Sequence, residues 1–148
     1  MTTVSDPRAD HAAFTQALIS NFRANGGKIA NFPPFTGRPL LLLHTVGAKS
    51  GEPRIAPVMF SRDGDRYVIM ASMGGAPTNP SWYANILANP EVTVEADGET
   101  FQAHAHAYAD GAERERLWNA HATEHPQFNE YLAKTSRVIP AVALERIR

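Results

Sequence analysis

The sequence predicts an α+β domain in which six antiparallel strands form a small β-barrel, with helices at the connections. Short apolar or alternating segments recur through the middle of the chain, which is the pattern of strands. Asp63-Gly64 and Asp97-Gly98 separate such segments at hairpin distance, and helical patterns lie on either side. A barrel is the economical arrangement because it leaves few unpaired strand edges.

Residues 1–37 are expected to form a helix and a loop ahead of a barrel at residues 38–148, within one domain overall. An apolar stripe at four-residue spacing predicts an amphipathic helix over residues 8–24. Packing on the core is the favoured use of the stripe, because a membrane-surface helix usually carries several basic residues on its polar face. The stripe consists of Phe14, Leu18 and Phe22.

Six segments have the composition and periodicity of strands. The Asp63-Gly64-Asp65 turn lies between the second and the third, and the first three are predicted to form an antiparallel meander. Pro140 in the last segment suggests an edge strand or a bulge. The segments are residues 39–46, 54–61, 66–72, 91–96, 100–109 and 137–144.

Helices are predicted between the strands. Asn79 can cap a helix over residues 81–88. Asp110 can cap the next helix, with Glu113 at the spacing of a capping box. A further helical segment covers residues 126–134.

Charge and composition limit the function classes. A formal net charge of −1 gives no basic field, so no nucleic-acid partner is expected. The absence of cysteine removes disulfides and agrees with a reducing compartment, so the cytoplasm is the expected location. No secretory signal or membrane span is expected, which leaves peripheral contact at the inner face of the cell membrane through the N-terminal helix open.

A small cationic loop at residues 47–54 is suited to bind an anion. It joins two apolar strands and combines glycines, a serine hydroxyl and the cations Lys49 and Arg54. Phosphate or carboxylate is the natural ligand, although the loop alone is equally compatible with a solubilising hairpin connection. A nucleotide P-loop is excluded, because Leu43 and Ala48 stand where that motif needs glycine.

A second loop joins a strand to a helix through Gly74-Gly75 and is followed at once by Trp82 and Tyr83. Backbone amides and a helix N-terminus beside two aromatic side chains suit a flat heteroaromatic ligand. The alternative is that both aromatics are ordinary core anchors. Together the two loops predict a site for a phosphorylated cofactor with a planar ring.

Metal and hydrolase motifs are weak, and no metal is expected. His121 to His125 match an H-x-x-E-H pattern, but no further ligand follows, and solvent-exposed helix histidines are the favoured explanation. His104 and His106 share one strand face, which a polar outer surface explains without a metal. No G-x-S-x-G elbow surrounds Ser72.

Several segments give the chain a family resemblance. In order and spacing it is similar to the deazaflavin-dependent nitroreductase family of actinobacteria, over about residues 38–147. The resemblance implies a split β-barrel like that of flavin-mononucleotide reductases, and binding of the deazaflavin coenzyme F420. The segments are residues 45–54, 63–67, 71–77, 80–85 and 89–92.

By this resemblance, the first loop holds the phosphate and polyglutamate tail of the coenzyme, and the strands and second loop line its ring. Ser72 and Tyr131 are the implied catalytic residues, which hydrogen-bond the acceptor oxygen. The implied cofactor-binding residues are Ala48, Lys49, Ser50, Gly51, Arg54, Ile55, Ala56, Pro57, Val58, Met59, Met70, Ala71, Ser72, Met73, Ser81, Trp82, Tyr83, Ala84 and Asn85. The implied substrate-binding residues are Met59, His125, Phe128 and Tyr131.

The implied function is hydride transfer from reduced coenzyme F420 to a quinone, a nitroaromatic or an activated enone. Ala48 and Met73 replace frequent cations of the family, so fewer cations meet the coenzyme tail, and Met59 replaces a tyrosine. His125 and Phe128 stand at two places of the family's late tyrosine cluster, and these departures argue against nitroimidazole prodrugs as acceptors while reduction of quinones stays open. The alternatives are a reductase that uses flavin mononucleotide (FMN) on the same barrel, and a non-catalytic protein that binds the cofactor or a lipid. A homodimer stays open.

Overall fold

Across the residues that the computed structural model describes, which are 7–33, 35–72 and 78–147, seven antiparallel strands form one sheet that curls into a half-barrel. The side chains of residues 7–11 and 132 are outside this description. The strands are β1 Leu40–Val46, β2 Pro53–Met59, β3 Ser61–Asp63, β4 Arg66–Met70, β5 Glu91–Ala96, β6 Glu99–Tyr108 and β7 Ala141–Arg146. The helices are α1 Pro7–Ala24, α2 Ser81–Ala88, α3 Gly111–Glu124 and α4 Phe128–Lys134. The strand order across the sheet is β2-β1-β5-β6-β7-β4-β3.

The predicted strand at residues 54–61 is divided in the structure, which is why the strand count exceeds the expected six. β2 pairs with β1, whereas β3 pairs with β4 at the opposite edge of the sheet. The chain passes between the two edges at Phe60, whose side chain is buried and whose amide donates to the Pro39 carbonyl at 3.1 Å. The predicted meander of the first three strands is therefore wrong, because its middle segment serves both edges.

The run of leucines in β1 is buried on both faces of the strand. Leu41 and Leu43 belong to the barrel core, and Leu40 and Leu42 pack against α1. All are less than 5% exposed, and burial of each side chain contributes about 2 kcal/mol. Continuous apolar runs are typical of strands covered on both sides. β1 therefore lies between two apolar clusters, one in the barrel and one against α1.

Polar contacts attach the C-terminal half of α1 to the barrel. Arg23 donates two hydrogen bonds to Glu95 on β5, at 3.2 and 2.7 Å, and His44 on β1 contacts the same carboxylate at 2.5 Å. The Arg23 guanidinium holds the pKa of Glu95 below its ordinary value, with a smaller effect from His44. The side chain of Asn21 donates to the Ala30 carbonyl at 2.6 Å and accepts from the Ala30 amide at 2.9 Å. These contacts fix α1 beside β1 and β5.

Both predicted hairpin turns are confirmed. Asp97 and Gly98, with φ values of 52° and 79°, join β5 to β6 and bring Ala96 opposite Glu99. Gly64 has a φ of 59° in the turn between β3 and β4. Glycine adopts this left-handed region without strain, and aspartate tolerates it better than most residues. The Asp-Gly pairs thus predict the positions of both turns correctly.

The two predicted side-chain caps are wrong. No side chain caps α2, and Asn79 instead accepts a hydrogen bond from Arg137 at 2.7 Å. Asp110 does precede α3, but its side chain makes no capping hydrogen bond, and Glu113 pairs with an arginine one turn later. Asn79 thus has an arginine partner 58 positions away in the sequence, and Glu113 has one three positions later on its own helix.

Candidate active site

A cavity of about 450 Å³ lies between α1, β2, the start of α2 and α4. Most residues expected from the sequence to touch cofactor or substrate lie on its wall. They are Arg54, Ile55, Ala56, Pro57, Val58, Met59, Met70, Ser72, Ser81, Trp82, Asn85, Phe128 and Tyr131. Met73, Gly74 and Gly75 fall outside the described residues.

The other expected residues lie off the cavity wall. His125 is buried, and its Nε2 donates to the Phe60 carbonyl at 2.9 Å, so it does not face the cavity as the family pattern implied. Ala71 and Tyr83 are buried in the barrel core, and burial raises the pKa of Tyr83. Ala84 is exposed on α2. The remaining four, Ala48, Lys49, Ser50 and Gly51, form the loop between β1 and β2.

Helix α1 contributes to the cavity wall, which the sequence pattern does not predict. Phe14, Thr15 and Leu18 line the cavity, and Phe14 packs edge-on against Phe32 and near Phe35, with ring centroids 5.5 and 5.8 Å apart. The apolar stripe of α1 favours core packing, with peripheral contact to a membrane left open, and does not by itself predict a cavity wall. Its first part covers the cavity and its last part covers β1. Further wall residues missed were Phe35, Leu40, Thr45 and Pro80.

The cavity has an apolar wall with one positive charge. Among the described residues, Arg54 is the only charged side chain on it. Arg54 pairs with Glu52 at 3.3 Å, and both side chains are more than half exposed. An exposed pair of this kind contributes only about 0–1 kcal/mol, so an anionic ligand can compete for Arg54. The site therefore favours a ligand with a neutral apolar body and a negative group near Arg54.

The loop between β1 and β2 is a tight turn held by its own hydrogen bonds. The Gly47 amide donates to the Glu52 carbonyl at 2.8 Å, and the Gly51 amide donates to the Gly47 carbonyl at 2.9 Å. The Ser50 hydroxyl oxygen accepts from the Glu52 amide at 3.2 Å. A Cβ at Gly47 would lie 2.4 Å from the Ser50 Oγ, so a larger residue there would displace the Ser50 hydroxyl from its present position. The loop thus has a defined shape, and the Ser50 hydrogen remains available to a ligand.

Asn85 ties this loop to α2. Its Oδ1 accepts from the Ala48 amide at 2.9 Å, and its Nδ2 donates to the Thr45 Oγ1 at 3.0 Å. Asn85 is only 6% exposed; its hydrogen bond to Thr45 is buried and its bond from the Ala48 amide is partly buried. Trp82, one turn earlier on the same helix, is a wall residue. One helix therefore positions both the aromatic wall and the cationic loop.

Arg137 holds the strand end that carries Ser72. Its Nη2 donates to the carbonyls of Ala71 and Ser72, both at 3.0 Å, while its Nη1 donates to Asn79 Oδ1 at 2.7 Å. Partial burial lowers the pKa of Arg137, which nevertheless stays charged. The sequence pattern predicts no role for Arg137, because its partners lie about 60 positions earlier in the chain.

His121 and His125 are buried, so the expectation of solvent-exposed histidines is wrong. His121 is fully buried, its Nδ1 lies 2.7 Å from Ser61 Oγ, and its ring meets Phe128 edge-on at 4.4 Å. Burial, with a smaller repulsion from His125, lowers the pKa of His121 to about 3. A neutral histidine thus supports Phe128, a wall residue, from behind.

Two other expectations can be compared with the described part of the chain. No group of three or more His, Asp or Glu side chains there is arranged to hold a metal ion. None of its helices combines the length and apolarity needed to span a bilayer.

Among known proteins, relatives similar to this chain include reductases that depend on F420H2. A quinone reductase of Mycobacterium tuberculosis that depends on F420H2 is 38% identical over 133 residues, covering 84% of this chain and 85% of the relative. A solved F420H2-dependent reductase is 39% identical, with a TM-score of 0.66, over 73% of this chain and 95% of that chain. A second solved relative, described as a domain-swapped dimer, is 34% identical, with a TM-score of 0.67, over 88% of this chain and 97% of that chain.

More distant structures share the fold alone. A protein from Listeria innocua assigned as a pyridoxamine 5′-phosphate oxidase is 13% identical, with a TM-score of 0.52, over 74% of this chain and 85% of that chain. This likeness confirms the expected α+β split barrel. The model of the family described as F420H(2)-dependent quinone reductase matches residues 16–146. The chain belongs to the F420H2-dependent quinone reductase family.

Proposed function

We propose that the 450 Å³ cavity binds reduced coenzyme F420 and a quinone together, and that the quinone is reduced there. One observation supports this assignment above the others: an aromatic and apolar wall, hydroxyl groups and a cationic loop adjoin a single cavity. The wall includes Trp82, the hydroxyls include those of Ser72 and Tyr131, and the loop leads directly into Arg54.

The residues present fit the coenzyme. Val58, Met59 and Trp82 offer apolar surface to a planar ring, and no acidic side chain lies on the described wall to repel an anion. Lys49 lies within the short loop and Arg54 at the start of β2 just after it, where a phosphate and carboxylates can be neutralised. When bound, the reduced deazaflavin supplies a hydride.

The protein groups orient the acceptor and stabilise charge. The Ser72 and Tyr131 hydroxyls donate hydrogen bonds to the quinone oxygen, on which negative charge develops as the quinone gains a hydride. The phenol of Tyr131, or water, supplies the single proton that completes the hydroquinone. Phe14 and Leu18 on α1 limit the access of water to this side.

Fluorescence titration of the purified protein with reduced coenzyme F420, followed by addition of menadione, tests the proposal. We expect saturable binding at micromolar protein and oxidation of the coenzyme that depends on menadione. A yellow protein that retains FMN and does not bind the deazaflavin would point to the FMN reductase. Binding without quinone-dependent oxidation would point to a carrier, and nitroaromatics tested in parallel define the acceptor range.

Ser72→Ala and Tyr131→Phe are each expected to slow single-turnover oxidation by menadione about tenfold, because each removes one hydrogen bond to a developing charge. Stopped-flow absorbance at saturating coenzyme measures this step. Tyr108→Phe is the matched control, since Tyr108 lies off the wall and its hydroxyl contacts Arg66 at 3.4 Å. Unchanged rates in the Ser72 and Tyr131 variants would remove both residues from the mechanism.

Lys49→Ala and Arg54→Ala are each expected to weaken coenzyme binding about two- to fivefold, with little change in the rate at saturation, because exposed charge contacts are weak. Glu52→Gln releases Arg54 from its pair and should tighten binding. Dissociation constants at low and high salt measure the effect, with exposed Lys28→Ala as control. Wild-type binding by the Lys49, Arg54 and Glu52 variants would contradict the role of the loop.

A homodimer in the cytoplasm is the assembly that we propose to test first. It is supported by the relative described as a domain-swapped dimer and by the absence of cysteine from the sequence. Light scattering measures the molar mass in solution. Flotation with anionic vesicles would reveal any peripheral attachment to the membrane.

A further inference from the structure

Arg137 lies between α4, which carries Tyr131 toward the cavity, and β7, which pairs with β4. Its guanidinium reaches two separate points of the chain ahead of α2. One is the Ala71-Ser72 segment, through two carbonyl oxygens, and the other is the side chain of Asn79. A single side chain thus joins the strand end that bears Ser72 to the residues that precede α2.

The neighbouring backbone reinforces this contact. The Ala71 amide donates to the Pro140 carbonyl at 3.0 Å, so Ala71 is held by the segment that begins at Arg137 through both of its peptide groups. The Ile139 carbonyl in turn accepts from the Arg114 Nε at 2.9 Å, which connects the segment to α3. The Ser72 peptide is therefore oriented by a supported element rather than by a free side chain.

Charge alone does not explain these contacts. The planar guanidinium directs its two terminal nitrogens in different directions, and here one serves two carbonyls while the other serves the Asn79 amide oxygen. A lysine ammonium has its donors on one atom and cannot span both groups in the same way.

We propose that Arg137 is a positioning residue for quinone reduction, which sets the orientation of Ser72 toward the acceptor by joining the Ala71-Ser72 carbonyls to Asn79. The inference rests on the proposed function of the cavity. Arg137 is not on the cavity wall and touches neither ligand directly. Its effect is exerted through Ser72, where small displacements of a hydrogen-bond donor have large effects on rate.

Single-turnover oxidation by menadione at saturating coenzyme tests the role. We expect Arg137→Ala to slow it about tenfold and Arg137→Lys, which keeps the charge, about threefold or more. Arg116→Ala is the matched control, because Arg116 also makes a two-bond contact, to Asp63 at 2.8 and 3.0 Å, but lies off the cavity wall. It should lower the melting temperature without changing the rate. Wild-type rates in both Arg137 variants would overturn the inference.

A double-mutant comparison tests whether Arg137 acts through Ser72. In the Ser72→Ala background, Arg137→Ala should reduce the rate by less than about twofold further, because the group that it positions is gone. A full tenfold loss there would show that Arg137 acts by another route and would contradict the proposal.

Amide hydrogen exchange separates failure of this inference from failure of the proposed function. Without any ligand, Arg137→Lys should speed exchange at Ala71 about fivefold and leave α3 unchanged. The same exchange rate at Ala71 in Arg137→Lys and in the wild type would overturn the positioning role, even if the wild-type protein reduces quinones. Faster exchange at Ala71 in a protein that binds no coenzyme would support the contact and refute the function of the cavity.

Discussion

Replacement of Asn85 by alanine is expected to weaken binding of reduced coenzyme F420 about ten- to a hundredfold. The change removes the hydrogen bond from the Ala48 amide and the one to Thr45 Oγ1, and each such hydrogen bond contributes about 0.5–1.5 kcal/mol. Without them, the loop that carries Lys49 is no longer held against α2, and binding must order it. Fluorescence titration measures the dissociation constant.

Asn89, which follows the last residue of α2, provides a control for Asn85. Asn89 is exposed at the C-terminal end of α2, and Asn89→Ala should leave binding within about twofold of the wild type. Asn85→Asp keeps the acceptor for the Ala48 amide but adds a negative charge beside an anion site, so it should bind no better than Asn85→Ala. Binding by Asn85→Ala at the wild-type level would show that the loop needs no support from α2.

Acidification from pH 7 to pH 5 is expected to lower the free energy of unfolding by about 2 kcal/mol through His121. Burial lowers the pKa of this histidine from 6.5 to about 3, so the unfolded chain binds a proton in this range and the folded protein does not. Stability must therefore fall as the pH falls below 6.5. Urea unfolding at pH 7, 6 and 5 measures the change.

The other groups with lowered pKa values affect the stability of the fold in a different pH range. Hydrogen bonds from arginines lower the pKa of Asp63 and Glu95, whose contributions are lost only near and below the ordinary carboxylate range of about 4. His121→Gln should therefore abolish most of the loss between pH 7 and 5, whereas His104→Gln on the half-buried outer face of β6 should preserve it. The same acid loss in His121→Gln would assign the effect to another group.

Local patterns predicted the turns, the helices and most strand segments, because alternation and Asp-Gly pairs act over a few neighbouring residues. They did not predict the break at Phe60, where the same apolar pattern continues while hydrogen bonding moves from one sheet edge to the other. The caps at Asn79 and Glu113 failed for a related reason, since arginines elsewhere in the fold or helix take those side chains.

The residues of the candidate site likewise fall into those that the sequence predicted and those that only the fold brings together. The family pattern supplied most of the β2 and α2 wall, but it placed His125 at the cavity although its imidazole bonds to the Phe60 carbonyl. Arg137 could not be found from the sequence, because its role depends on partners that only the folded chain brings near. His121 was visible as a motif, yet only its burial beside Ser61 determines its charge.

The cavity wall on α1 has a consequence for how related chains can diverge. Phe14 and Thr15 precede residue 16, where the match to the family begins, while the cationic loop, Asn85 and Arg137 all lie within it. Substitutions at Phe14 and Thr15 would therefore change the α1 side of the cavity while the cationic loop, Asn85 and Arg137 keep their contacts. New quinone specificities would then arise at the N-terminal end of the chain, at little cost to folding of the barrel.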